Sequence, residues 1–157
     1  SPDGNWLAVV THSPDNDIAL NVIELDAPDL PPITINAASR GETVSAITFT
    51  PDSSALLFVI GGSNTENNSL FSLDLISAAE SRLMRGRFGQ QLVVSPDGQY
   101  VAVPSWRIVN AENQPNYLTL LTLNLTTREP ITVFSGAHIA DDMVSNLQFV
   151  YPLSWRE

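Results

Sequence analysis

The side chains best suited to chemistry in this sequence are few and scattered. His138 precedes Asp141 and Asp142 on one polar segment, and an imidazole close to carboxylates can bind zinc or pass protons. A polar surface loop carries such residues more often than a site does, and we read this one that way. Asp15-Asn16-Asp17 opens like a calcium loop, but the spaced carboxylates and closing Glu that complete six or more oxygen ligands are missing. A solvated hairpin turn explains it better. The second histidine, His12, has no metal-pair spacing to His138. Neither a Gly-x-Ser-x-Gly elbow nor a phosphate-binding glycine loop occurs, so the motifs of serine hydrolases and nucleotide enzymes are missing. Without cysteine there is no thiol nucleophile, thiolate metal site or disulfide. The sequence therefore reads as a non-enzyme with no catalytic residue, metal or cofactor.

Charge narrows the partners. The 157 residues carry a net charge of −10, and all seven basic residues are arginines. Nucleic acid and anionic lipid need clustered cations to neutralise phosphate, and here only Arg82, Arg85 and Arg87 cluster. We read those three as a solvated rim pairing with nearby acids. No run of about 18 apolar residues is present, so nothing reads as a transmembrane helix.

The elements that would position any site announce themselves through a repeat. Ser1-Pro2-Asp3-Gly4 returns as Ser95-Pro96-Asp97-Gly98 and, weakened, as Thr50-Pro51-Asp52-Ser53. Proline presets φ, aspartate accepts nearby backbone amides, and glycine supplies positive φ. Each copy precedes an apolar run, Trp6 to Val10, Ala55 to Ile60 and Tyr100 to Val103. The pattern predicts strand, tight turn, strand, with Asp3, Gly4, Asp52, Asp97 and Gly98 as structural turn residues. Ser53 in place of glycine predicts a more strained turn or one of another type. About 25 residues on, Ile23-Glu24-Leu25-Asp26, Phe71-Ser72-Leu73-Asp74 and Leu121-Thr122-Leu123-Asn124 line up as alternating strands. Successive turn motifs lie 49 and then 45 residues apart, close to the period of a four-stranded propeller blade.

These residues resemble the WD40-like Pro-Asp repeats of TolB-type β-propellers, which also occur in the propeller domains of prolyl-oligopeptidase-like enzymes. The resemblance covers nearly the whole chain and implies an all-β fold. The expected architecture is a partial β-propeller of about three four-stranded antiparallel blades plus the start of a fourth. Blade one is placed at about 1–49, blade two at about 50–94 and blade three at about 95–155, as part of a longer chain. Composition and resemblance together suggest a bacterial, extracytoplasmic protein, periplasmic or membrane-peripheral.

Two local conflicts remain. Leu73, Ile76, Ala79 and Leu83 have helical spacing, whereas register with the other repeats predicts strand, turn, strand. Asn67-Asn68-Ser69 and Asn124-Leu125-Thr126 are formal glycosylation sequons of a length that arises by chance. Trp6 and Trp155 are predicted in the core. An isolated arc of three blades leaves two apolar sheet faces open, which predicts further blades or a partner chain there.

The loops joining strands two and three of each blade, and those joining blades, emerge on one face. The longest are in blade three, Trp106 to Pro115 and Ser135 to Asp142. Long loops on a rigid scaffold are where binding residues collect. The expected contact residues for a protein partner are Trp106, Arg107, His138 and Asp141. The reading is a non-enzymatic, TolB-like protein-binding scaffold, an extracytoplasmic or envelope-complex subunit. The alternative is the substrate-gating propeller of a prolyl-oligopeptidase-like serine peptidase whose catalytic domain lies elsewhere.

Overall fold

Among residues 1–13, 17–37, 43–61, 68–89, 91–107 and 116–139, which the computed structural model describes, every regular element is a strand. The first sheet holds β1 (Trp6–His12), β2 (Ile18–Glu24) and β3 (Ile33–Asn36) in that order. The second holds β4 (Thr43–Phe49), β5 (Ala55–Gly61), β6 (Asn68–Asp74) and β7 (Glu80–Gly86). The third holds β8 (Val93–Val94), β9 (Tyr100–Arg107), β10 (Asn116–Asn124) and β11 (Pro130–Ile139). All neighbours are sequential and antiparallel.

The sheets are held together by two apolar layers. Leu56, Phe58 and Ile60 of β5 face the first sheet and pack with Leu20, Val22 and Ile35. Leu57 and Val59 of the same strand face the third sheet and pack with Val101, Val103 and Leu123. This is why β5 is an unbroken apolar run: a strand covered on both faces has no side for polar residues. Phe58 and Phe71, paired across β5 and β6, stack at 5.4 Å with an interplanar angle of 13°, a geometry worth about 0.5–1.5 kcal/mol beyond burial. Trp6 is half-buried against the first layer; Trp155 lies outside the described residues.

Leu73 to Met84 is strand, turn, strand. Its apolar residues satisfy β6 and β7 through cross-strand pairing, which overrides the weak helical propensity of Ala78-Ala79-Glu80. Arg82 and Arg85 are exposed on β7, but Arg87 is half-buried, so it does not belong to a fully solvated rim.

Three further sequence expectations are corrected. The alignment of the first repeat is slipped by two residues. The amides of Leu25, Leu75 and Leu125 donate to the carbonyls of Asn5, Ser54 and Gln99, at 2.8, 3.0 and 2.8 Å. Glu24, not Asp26, therefore stands where Asp74 and Asn124 stand. Alternation has a period of two, so a slip of two residues leaves the pattern looking right.

The loops around Trp106 and His138 are also shorter than expected. Strand β9 continues through Trp106 and Arg107, and β11 continues to Ile139. Two register shifts, at Leu118/Thr119 and Leu120/Leu121 of β10, leave Gly136 and Val133 unpaired. Such bulges break the alternation by which a strand is recognised.

The outward face of the first sheet, finally, is not wholly apolar. Leu7 is 45% exposed there, but Asn21 donates to Thr11 and accepts from Thr34, both at 2.9 Å. That polar row can meet water as readily as another sheet.

Candidate functional site

The sheets present two rims of opposite character. On the first, the three Pro-Asp corners share one hydrogen-bond plan. The amide of the fourth residue donates to the carbonyl of the first at 3.1, 2.9 and 2.8 Å, for Gly4, Ser53 and Gly98. Those residues have φ of +80°, +58° and +70°, the left-handed region that glycine enters without strain. Ser53 thus keeps the glycine geometry, and its Oγ accepts the Asp3 amide at 3.2 Å. That bond joins the first corner to the second. A β-carbon at Gly98 would lie 3.8 Å from Pro51 Cδ, so the third corner abuts the second.

The hydroxyl that opens each corner has a role that sequence reasoning missed. Ser1, Thr50 and Ser95 accept the amides of Trp6, Ala55 and Tyr100 at 2.9, 3.0 and 2.9 Å. The recurrence of Ser or Thr at that position was the available signal. Asp3, Asp52 and Asp97 accept the amides of Asn5, Ser54 and Gln99 at 3.1, 3.1 and 3.0 Å. Their carboxyls lie below the usual aspartate range. The chief causes are the hydroxyl donors Ser1, Thr50 and Ser95 respectively, followed by those amides. Donation to the charged form favours it.

The outer hairpins emerge on the same rim. Asp74 Oδ1 accepts the amides of Ile76 and Ser77 at 3.1 and 2.8 Å, and its carboxyl is lowered, chiefly by the Ser77 amide. Asn124 Oδ1 repeats this with Thr126 and Thr127, at 2.9 and 2.8 Å. Its amide is therefore part of a turn. Ala78 and Arg128 then take φ of +55° and +62°. The rim gathers acids: the corner aspartates, then Glu24, Asp26 and Asp29, then Asp74 and Glu80, then Glu129. Arg128 is the one basic side chain among its described residues.

Between the second and third sheets this rim opens into a cleft of about 180 Å³. Leu57, Leu83 and Leu125 give it an apolar interior, with Ala55, Thr50 and Ser72 beside them and Asp52, Ser54 and Gly98 completing the lining. Asp52 and Gly98 were named from the sequence only as turn residues. That the lining residues meet in a cleft carried no sequence signal, because nothing along the chain brings β6, β7 and the hairpin after β10 together.

The opposite rim carries the linkers and long loops. Here Arg107, Tyr117 and His138 stand in one row across β9, β10 and β11. Leu118 pairs with Trp106 on one side and Ala137 on the other, one position away. Strand pairing thus brings Trp106, Arg107 and His138 to one sheet end. Asp141 lies outside the described residues, as do Asp15, Asn16 and Asn67. Tyr117 was not expected there; only the register of β10 places it.

The linker from the second sheet docks beside this end. Phe88 bridges to Ser105, and the Gly89 amide donates to Pro104 at 2.8 Å. Buried Asn68 anchors the linker through its Nδ2, which donates to the Phe88 carbonyl at 3.2 Å. Among the described residues no three of His, Asp and Glu are grouped to hold a metal ion. No helix there is long and apolar enough to cross a membrane.

No protein-family model matches this sequence, and neither does any curated protein. Solved structures do. TolB from Acinetobacter baumannii superimposes with a TM-score of 0.60 at 14% identity, over 89% of this chain and 33% of that one. The tricorn protease gives a TM-score of 0.64 at 10% identity, over 85% of this chain and 12% of that one. The acylaminoacyl peptidase of Pyrococcus horikoshii gives 0.60 at 9% identity, over 83% and 23%. This chain therefore spans a third or less of those three structures. Identities this low speak for fold alone, and the fold is that of a partial β-propeller.

Proposed function

We propose that the chain is a non-enzymatic, protein-binding segment of a TolB-like β-propeller. In this reading it belongs to a longer bacterial chain acting outside the cytoplasm, in the periplasm or at the membrane periphery as a subunit of a complex. Its blades divide near residues 49 and 94. The contact surface is the loop rim, centred on Trp106, Arg107, His138 and Asp141, with the open sheet edges as a second meeting point. One observation carries the reading: the register of β9, β10 and β11 gathers Trp106, Arg107 and His138 at one sheet end. The repeated corners occupy the other rim and are consumed by their own hydrogen bonds.

The test places a photo-crosslinking residue at position 107 in one protein and at position 3 in another, in the native host. Position 107 is expected to yield a discrete protein adduct that Trp106→Ala with His138→Ala removes, and position 3 a different adduct or none. Equal adducts from both positions, or an adduct indifferent to those substitutions, would overturn the choice of rim. A second reading is favoured by the peptidases among the similar structures: a gating propeller of a serine peptidase. A Gly-x-Ser-x-Gly elbow elsewhere in the full reading frame, with peptidase activity of the whole protein, decides for it.

A further inference from the structure

The cleft on the corner rim has a chemistry of its own. Its interior is set by Leu57, 1% exposed, with half-buried Leu83 and Leu125 beside it. The exposed Asp52 carboxylate stands at its mouth with the Ser54 hydroxyl. Its volume of about 180 Å³ suits one long side chain and falls well short of the roughly 300–1,000 Å³ of a site for a whole small ligand.

An apolar shaft with an anion at its opening matches a side chain whose methylenes lie on apolar surface while its cationic head stays at the polar edge. The surroundings favour the same occupant. The corner and hairpin acids make the rim negative, and a field of one sign steers the opposite charge toward it.

We infer that this cleft is a socket for a single lysine or arginine side chain presented by a partner protein. The inference rests on the protein-binding reading but uses the rim opposite the loop site. Leu83 and Leu125 take the methylenes above a floor closed by Leu57, and Asp52 takes the charge. Asp52 already accepts the Ser54 amide and hydroxyl, which hold the carboxylate in place, and a carboxylate has about four acceptor positions.

The experiment titrates the isotope-labelled full-length protein with three small probes and follows the backbone amides by NMR. The probes are Nα-acetyl-lysine methylamide, its arginine counterpart and the uncharged Nα-acetyl-norleucine methylamide. The two charged probes are expected to give saturable shifts at Ser54, Ser72, Gly98 and Leu125. Norleucine is expected to bind about fivefold more weakly, the upper end of an exposed ion pair. Asp52→Asn, which keeps an acceptor for the corner, should reduce the charged probes to the norleucine level. Ser72→Val fills the cleft without changing the rim's charge and should remove saturation for all three.

Unsaturable shifts spread from Asp3 to Glu129, and unchanged in Ser72→Val, would reduce the rim to a diffuse counter-ion surface and overturn the socket. Norleucine binding as tightly as lysine would overturn it too. Crosslinking from position 107 reads the other rim, so failure of either assay is separable from failure of the other.

Discussion

The corner rim and the loop rim are cut from the same strands, yet they are built on opposite terms. On the corner rim the same donors and acceptors recur at each repeat: an opening hydroxyl, an aspartate two residues on and a left-handed fourth residue. Its polar groups are largely committed to their own backbone. On the loop rim, among the described residues, the link from the second sheet to the third docks instead through a single bridge and a buried asparagine. Repetition therefore marks where the chain must turn, and the loop rim, which does not share that plan, is where we propose the partner contact. The corner rim, its groups largely committed internally, offers shape and charge instead, as in the socket proposed beside Asp52.

The largest effect that tests this contrast comes from backbone conformation. Gly98→Val forces a β-branched residue into φ of +70° and should cost about 2 kcal/mol. Gly89→Ala, on the loop rim, puts a β-carbon 3.2 Å from Pro104 Cγ without a left-handed φ and should cost about 1 kcal/mol, the low end for an added carbon in a packed site. Urea denaturation of both variants reads the difference. A costlier Gly89→Ala would reverse the assignment of rigidity to the corners.

Acid provides the next test. Asp3, Asp52, Asp74 and Asp97 are all lowered by donors of the folded state, so they bind protons less readily folded than unfolded. Their stabilisation is fully present above the ordinary aspartate value, near pH 4, and is lost as pH falls through the lower folded values. The urea midpoint should therefore drop below about pH 4. Asp→Asn at positions 3, 52 and 97 together should flatten that drop, whereas His138→Ala should leave it unchanged. An acid limb untouched by the triple change would place the pH sensitivity elsewhere.

The smallest effect sharpens the comparison between corners. Ser53→Gly relieves left-handed strain of about 1 kcal/mol but removes the hydrogen bond to Asp3, itself worth about 0.5–1.5 kcal/mol. The two should cancel to within about 0.5 kcal/mol by thermal melting. A large loss would show that the bond between corners matters more than the turn itself.

How much could be read in advance depended on range. The corners were legible because every residue that builds one lies within six positions. The strand at 55–61 was legible because burial on both faces leaves an apolar run. The slip of Glu24 against Asp74 was hidden because alternation cannot tell one register from another two residues away. The end of β11 was hidden by bulges against β10, which disturb alternation while preserving pairing. Nothing local marked Tyr117 for its row, or Ser72, Leu83 and Leu125 for the cleft.

What the amino-acid order determined alone was the repeated corner, the all-β class and the acidic balance, all consequences of neighbouring residues or of composition. Only the tertiary structure decided which residues share a row across β9, β10 and β11, and which side chains enclose the cleft beside Asp52. Those relations join positions tens of residues apart, set by strand register and by the stacking of one sheet on the next.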